Sequence, residues 1–549
     1  MRASAAGAAG FTIKSTAIHR NASDDRDEVE SRLSLAFAVI REGQKHAPAA
    51  SLTRKELHTA MKICVINGSP KGSYSITLQT SLYLEKKFPE HEFQYLEAGA
   101  KIRSLEKDPS EAWKLLEWAD LLLFSYPVYT FLAPSQLHRF IRLMKESGID
   151  VSGKYATQIT TSKHFYDITA HQYIEDNCQD LGLKVIHGLS ADMEDLTTDE
   201  GQKDAIQFMR YVTWCAENDV HEQGKMAGCR LEGEAAAIAE RAETKAENTC
   251  QEMSAGNREC RTCTHENMQP VEQNALESKS EEENADRTSD AREVVIVADL
   301  RPGDTGLEQL IREYEAGCTM QTRLVNLAEY PFQGGCLGCF HCAGDGKCIY
   351  KDNFDVFLRE QIQTADAIVY AFSIVDHSMG PRFKMYDDRQ FCNGHRTVTE
   401  GMPFGYLING HYEEEYNLRN VIEARCQVGH NFLAGVGTDK QSICDMSKRL
   451  CYAMENQYVP PRNFWGVGGM KIFRDLIWLM RGLMKADHEF YKQHGIYDFP
   501  QKQRGKMLVM CLLGAMVRNP KIRAKMGNKM NEGMVAPYKK VIEGATIEK

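Results

Sequence analysis

A chain of 549 residues is longer than one hydrophobic core usually serves, so two or more domains are expected. Hydrophobic residues at 43% and charged residues at 26% match a globular composition, and no run of 18 uncharged apolar residues occurs, which excludes a membrane span as the default. The 66 basic and 76 acidic side chains leave a net charge of −10, so no global basic field exists to hold nucleic acid or anionic lipid. Residues 1–30 lack an apolar stretch followed by a small-residue cleavage site, and the 17 cysteines therefore point to a reducing cytoplasm, where clustered thiols mean metal or redox chemistry more often than disulfides.

Residues 1–60 open rich in Ala and Ser and carry one amphipathic stretch from Asp27, "DEVESRLSLAFAVIRE"; they are expected to be a poorly packed extension, with Met61 the true or an alternative start. "KICVI" at Lys62–Ile66 reads as a buried parallel strand ending in Asn67-Gly68. Alternation follows: "FQYL", a helix from Ser110 to Trp118, "DLLLFSY", a helix from Ser135 to Glu146, "YATQIT", a helix near Ala170 to Leu181, "KVIHG" from Lys184, and a helix from Gln202 to Glu217. Five strands with intervening helices form the doubly wound α/β pattern over 61–220. Residues 221–292 read as an acidic, disordered linker, with no Phe, Trp, Tyr or Ile between Glu240 and Arg292.

The pattern restarts over 293–460 with "EVVIVAD", a helix near Leu307 to Glu315, "QTRLVNL", a helix near Asn353 to Gln363, "DAIVYAF", "PFGYLING" and "NFLAGVG". An internal duplication is the economical reading. Residues 461–549 are expected to be a helical extension whose "MLVMCLLGAMV" segment, too short to span a bilayer, packs against the second core.

Three loops lie at the carboxyl ends of the first unit's strands, where ligands bind in such sheets. "NGSPKGSYSIT" offers backbone freedom at Gly68 and Gly72, hydroxyls at Ser69, Ser73, Ser75 and Thr77, and the start of a helix for a phosphate. It matches neither the nucleotide P-loop nor G-x-G-x-x-G; the plain alternative is a Ser/Gly-rich helix cap. Pro127, Val128, Tyr129 and Thr130 form a stiff aromatic loop suited to a flat isoalloxazine, and "TTSKHF" from Thr160 borders the same rim.

"MKICVINGSPKG…SIT" with "ADLLLFSYPVYTFLAPSQL" resembles the flavodoxin-like NADPH-dependent FMN reductase family over roughly 61–218. By that resemblance Ser69, Lys71, Ser73, Ser75 and Thr77 would surround the FMN phosphate, while Pro127, Val128, Tyr129, Thr130, Thr160, Thr161 and Ser162 would border the ring. The implied fold is two flavodoxin-like doubly wound parallel five-stranded sheets with helices on both faces, followed by the helical tail.

In the second unit Cys336, Cys339, Cys342 and Cys348 form a C-x2-C-x2-C-x5-C run among five glycines. Such a loop can curl round one metal centre; an iron-sulfur cluster is favoured over zinc, with free or redox-active thiols also open. With "ADAIVYAF…GPRFKMYDDRQF" the run resembles the iron-sulfur flavoproteins, implying a [4Fe-4S] cluster beside FMN over roughly 293–455. The first-strand loop here reads "ADLRPGDTGLEQ", without the Gly-Ser-Pro pattern, and the first unit has no cysteine between Leu96 and Trp113. The copies thus divide the family's equipment, which requires the Tyr129 and Cys339 loops to face a near-shared cleft; the competing expectation is a second FMN in the second unit. Cys260 and Cys263 read as a flexible thiol pair, His377, His395 and His411 as rim residues, and Cys426, Cys444 and Cys451 as packing residues.

The expected function is an FMN-dependent, iron-sulfur oxidoreductase carrying electrons from NAD(P)H to a small-molecule acceptor or a redox carrier protein, in a possible homo-oligomer, with no nucleic acid, no membrane span and no assigned catalytic side chain. The alternatives are a non-catalytic electron carrier and a thiol or zinc redox sensor.

Overall fold

The computed structural model describes residues 60–222 and 292–526. The N-terminal amphipathic stretch, the acidic linker and Cys260 and Cys263 lie outside the described residues.

Strands β1 (Lys62–Asn67), β2 (Glu92–Leu96), β3 (Leu121–Pro127), β4 (Tyr155–Ser162), β5 (Lys184–Val185) and β6 (Leu189–Asp192) build the first sheet, ordered β2-β1-β3-β4-β5 with β6 also on β4. All its pairings are parallel. Helices α1 (Ile76–Lys87), α2 (Ser110–Trp118), α3 (Ser135–Ser147), α4 (Asp167–Asp180) and α5 (Asp199–Glu217) alternate with the strands. One expected strand, "KVIHG", forms only over Lys184–Val185 as β5, and a separate strand, β6, follows after Gly188. The gap of residues 186–188 ends at Gly188, where a Cβ would stand 2.3 Å from the Gln158 side chain and 2.7 Å from its carbonyl oxygen. Backbone and Gln158 are too close there for any residue but glycine.

The second sheet holds β7 (Glu293–Ala298), β8 (Gln321–Asn326), β9 (Ala367–Ser373), β10 (Pro403–Asn409) and β11 (Phe432–Gly437) in the order β11-β10-β9-β7-β8, again all parallel. Helices α6 (Thr305–Gly317), α7 (Gly380–Arg389), α8 (Tyr416–Gly429) and α9 (Lys440–Asn456) cover it. Counted along its own chain, each sheet reads 2-1-3-4-5, the flavodoxin-like order, whose switch point lies between the first and third strands. The helix expected near Asn353 begins as one α turn, Phe354–Phe357, and continues as a π segment, Leu358–Ile362.

The likeness of the two units extends to backbone detail. After the third strand of each unit comes a two-residue turn closed by reciprocal bonds: Tyr129 and Leu132 at 2.8 and 3.0 Å, Val375 and Ser378 at 2.9 and 3.1 Å. Their central residues all have positive φ: Thr130 +44° and Phe131 +69°, Asp376 +53° and His377 +60°. Non-glycine residues enter this region only where surroundings hold them there.

The units pack through equivalent helices, α3 on α7 and α4 on α8, so that one apolar cluster runs from Ile66 and Phe124 through Phe140 and Tyr173 to Phe372, Tyr386 and Ile422. The two outer faces have clusters of their own, around Val65 and Met209 and around Ile296 and Met446. Several polar groups at the seam are paired. Lys384 Nζ, on α7, donates to the Tyr129 carbonyl at 2.8 Å and pairs with Asp388, which accepts the Ser135 amide at 2.8 Å. Asn417 donates to the Thr169 carbonyl at 3.0 Å, and Asn177 to that of Asp376 at 3.2 Å.

The helical tail comprises α10 (Phe464–Leu479), α11 (Lys485–Gln493), α12 (Arg504–Arg518) and α13 (Pro520–Met526). Met470, Ile477, Met484 and Tyr491 join the central core. Helix α12 does not: none of its residues is buried, so the expectation that "MLVMCLLGAMV" packs on the second core is overturned. Among the described residues no helix is long and apolar enough to cross a membrane.

His377 bridges the units, its Nε2 3.0 Å from Asp180 on α4 and its Nδ1 3.0 Å from Glu415. Hydrogen bonds to those carboxylates push its pKa up to about 10. The folded value lies above the unfolded one, near 6.5, so the stabilisation is complete below that pH and is lost as pH rises toward 10. The urea midpoint of the full chain is expected to fall between pH 6.5 and 10, and His377→Gln is expected to flatten that decline; an unchanged slope in the variant would contradict the bridge.

Candidate functional site

The loop from β1 to α1 is fixed by buried Asn67. Its Nδ2 donates to the Gly72 carbonyl at 3.1 Å and to Glu97 at 3.0 Å, while its Oδ1 accepts the Ser69 amide at 3.2 Å. Gly72 has φ +55°, and a Cβ there would meet Ala100 and Glu97 at 3.2 Å. Ser75 caps α1, its hydroxyl accepting from the Leu78 amide at 3.4 Å. Free amides, a helix dipole and hydroxyls therefore converge beside β3, at the switch point.

The loop opens onto a cavity of about 390 Å³, a size usual for small-molecule sites. Ser69, Lys71 and Ser75 line one part of it, Pro127, Val128, Tyr129 and Thr130 another, and Thr161 and Ser162 a third. Cys336, Cys339, Cys342 and Cys348 line the same cavity. The Tyr129 and cysteine loops touch: a Cβ on Gly338 would stand 1.8 Å from the Tyr129 hydroxyl, and Lys71 Nζ lies 5.1 Å from the Phe340 ring centre. Phe391 meets the Tyr129 ring edge-on at 5.5 Å. The tail supplies a wall through Phe473, Leu476 and Met480.

Three expected residues stand outside the lining. Ser73 is exposed. Thr77 is buried with its hydroxyl 2.6 Å from that of Thr161, and Thr160 is buried 2.8 Å from His171 Nε2. Alternation along β4 explains the last pair: Thr161 faces the rim, Thr160 the helix layer. Of the rim histidines, His395 lines the cavity, whereas His377 serves the seam between units.

Several lining residues were given no role by the sequence. Cys392 adds a fifth thiol. Arg389, buried, holds both ends of the cysteine loop: it grips Asp352 through two bonds of 2.9 and 2.7 Å and donates to the Gly334 carbonyl at 2.9 Å. Its guanidinium also lies 4.5 Å from the Tyr350 ring centre and 4.7 Å from that of Phe354. Gln390 and Asp387 complete that wall.

Burial governs the electrostatics. It pushes the Tyr129 hydroxyl and the Cys336 thiol well up, Cys342 up to about 11 and Cys392 up to about 12, and it pulls the Lys71 ammonium down. Cys336 Sγ accepts the Gly338 amide at 3.4 Å, and Cys342 Sγ lies 3.3 Å from the Phe391 carbonyl. Buried polar atoms without a partner gather here, among them Tyr129 Oη, Ser162 Oγ and Gln390 Nε2. Unsatisfied groups around an apolar cavity fit a partly polar, planar ligand that supplies their bonds.

For a metal centre the donor set is right in type and number, but the side chains do not converge. Among the described residues no group of three or more His, Cys, Asp or Glu side chains is placed to hold a metal ion.

The equivalent rim of the second unit is closed by its own side chains. Asp304 caps α6, its Oδ1 accepting from the Leu307 amide at 3.3 Å and Asn409 at 3.2 Å, its Oδ2 from the Ser373 hydroxyl at 2.6 Å. Asp299 pairs with Arg301 at 2.9 Å and Arg382 at 3.1 Å. Two carboxylates stand where the first unit has a serine-glycine loop.

Residues 61–187 match the family model described as flavodoxin-like fold. No curated protein matches the chain. Among solved structures, an apo NADH:FMN oxidoreductase (EMOB) is 16% identical, covering 30% of this chain and 92% of its own, with a TM-score of 0.25. The NAD(P)H:(acceptor) oxidoreductase FerB from Paracoccus denitrificans is 17% identical over 29% and 98% of the two chains, with a TM-score of 0.24. An NAD(P)H:quinone oxidoreductase from Methanothermobacter marburgensis is 14% identical over 30% and 99%, with a TM-score of 0.23. The family match thus falls on the first sheet and its loops, the part of the chain that lines the cavity with serines and Tyr129.

Proposed function

We propose that the protein is an FMN-dependent NAD(P)H oxidoreductase whose four clustered cysteines are ligands of a [4Fe-4S] centre, passing electrons to a small acceptor. One observation carries the reading: a single cavity takes in the phosphate-type loop, the aromatic loop and all four thiols. In this reading Ser69, Ser75 and the amides at the start of α1 hold the phosphate, with Lys71 as counter-charge. Pro127–Thr130 provide the wall for the ring, and Ser162 and Tyr129 Oη meet its polar edge. Phe473, Leu476 and Met480 exclude water from the remaining volume. FMN held by these residues would supply two-electron hydride chemistry with a nicotinamide and one-electron exchange with a neighbouring centre. The unconverged thiols favour, as a second reading, a thiol redox site beside the flavin.

One FMN per chain is expected, because a phosphate at α6 would meet the Asp304 and Asp299 carboxylates. Anaerobic protein should contain iron and acid-labile sulfide that Cys336→Ser, Cys339→Ser, Cys342→Ser and Cys348→Ser each reduce. Two flavins per chain would overturn the single-site assignment; zinc without sulfide, or no metal at all, would overturn the cluster.

Gly338→Ala tests the shared cavity without removing a thiol. The new methyl collides with the Tyr129 hydroxyl, and a φ of +60° costs a non-glycine residue about 1–2 kcal/mol in addition. Flavin retention on gel filtration is expected to fall; retention equal to that of the parent would place the ring elsewhere.

Arg389→Lys keeps the charge but cannot hold Asp352 and the Gly334 carbonyl together. Stability should drop by about 1–3 kcal/mol in urea titration, with iron content falling before flavin content. Loss of flavin first would show that Arg389 serves the ring side instead.

A further inference from the structure

Helix α12 presents an apolar surface independent of the cavity and of the activity proposed for it. Met507–Val517 contains no charged residue, and Leu508, Met510 and Leu512 are 62%, 64% and 58% exposed. A helix apolar on all sides is ordinarily covered, by a protein core or by lipid. We propose that α12 and its basic flanks dock on an anionic lipid bilayer, lying in the interface without crossing it.

Length sets the mode of attachment. Eleven residues at 1.5 Å each reach about 16 Å, against a hydrocarbon core of about 30 Å. Charge selects the partner. Seven Lys or Arg and no Asp or Glu lie between Lys502 and Lys525, in a chain whose net charge is −10. A second copy of α12 would bring the same positive charges, which opposes pairing of the helix with itself. The acidic segment between Glu240 and Arg292 matches the charge but has no Phe, Trp, Tyr or Ile to cover the apolar side. Anionic lipid offers both partners, acyl chains for the leucines and methionines and headgroups for the bases.

The base of the helix supplies a second observation. Lys502, just before α12, lies 5.9, 6.0 and 5.4 Å from the ring centres of Trp478, Tyr497 and Phe499, and Arg481 lies 4.9 Å from Trp478. Leu479 and Leu483, beside Trp478 in sequence, are exposed. Aromatic rings capped by cations, with leucines next to them, are the composition of a surface at headgroup depth.

The test is flotation of the full-length protein with phosphatidylcholine vesicles, with and without phosphatidylglycerol, alongside sedimentation velocity in solution. Binding to the anionic vesicles is expected, weakened by salt and lost in Leu508→Asp/Leu512→Asp; circular dichroism should confirm that this variant, altered only at exposed positions, stays folded. Lys521→Gln/Arg523→Gln should weaken partitioning roughly thirtyfold, at about 1 kcal/mol per basic side chain. Absence of binding to anionic vesicles, equal binding by the leucine variant, or a concentration-dependent dimer that the leucine variant dissolves would each overturn the proposal.

Discussion

The buried Lys384–Asp388 pair sits where the two sheets and the cavity meet. Both side chains are fully buried, and burial pushes the Asp388 carboxyl up to about 6 even beside the ammonium. Such a pair is tolerated because every strong group in it has work: Lys384 holds the Tyr129 carbonyl and Asp388 holds the first amide of α3. Removing one partner alone would leave a buried charge, at a cost of about 3–5 kcal/mol. The Tyr129 loop of the first unit is therefore shaped by a helix of the second, and the first unit cannot present a finished rim by itself.

That dependence sets apart two units of one plan. Both retain the same strained turn after the third strand, but Thr130 and Tyr129 line a cavity whereas His377 is consumed in a bridge between Asp180 and Glu415. Both retain a helix after the first strand, yet one start carries serines and glycine and the other is capped by Asp304. Packing through equivalent helices brings one open rim toward the cysteine loop and leaves the other closed by internal carboxylates.

The strands were legible because each buried parallel strand is a short apolar run ending in turn residues, and the alternation fixed the doubly wound order. The break at Gly188 was not, since it depends on how near Gln158 comes. The loop ends were less legible: β4 runs on to Ser162 and α1 already includes Thr77, so Thr77 and Thr160 belong to regular elements that turn them away from the cavity, while Ser73 faces solvent. Arg389 stood inside the "GPRFKMYDDRQF" motif without an assigned role, and Cys392 lay just beyond it, because an arginine or cysteine acquires its role through distant partners such as Asp352. The exposure of α12 was misread because an apolar run is ordinarily evidence of burial, and only coordinates show whether a core is there to receive it.

The cysteine loop combines fixed ends with a permissive middle. Arg389 and Asp352 tie its base, Tyr350 donates to the Gly335 carbonyl at 3.1 Å, and Arg359 holds the Gly346 carbonyl at 2.5 Å. Between these anchors Gly338 and Gly346 adopt positive φ, which only a glycine enters without strain. Burial raises the Cys336 and Cys342 thiols and keeps both in the neutral form. A loop so built commits its thiols to one wall of the cavity. The nearness of that wall to Tyr129 is then a property of the fold, and what the thiols bind can change without moving it.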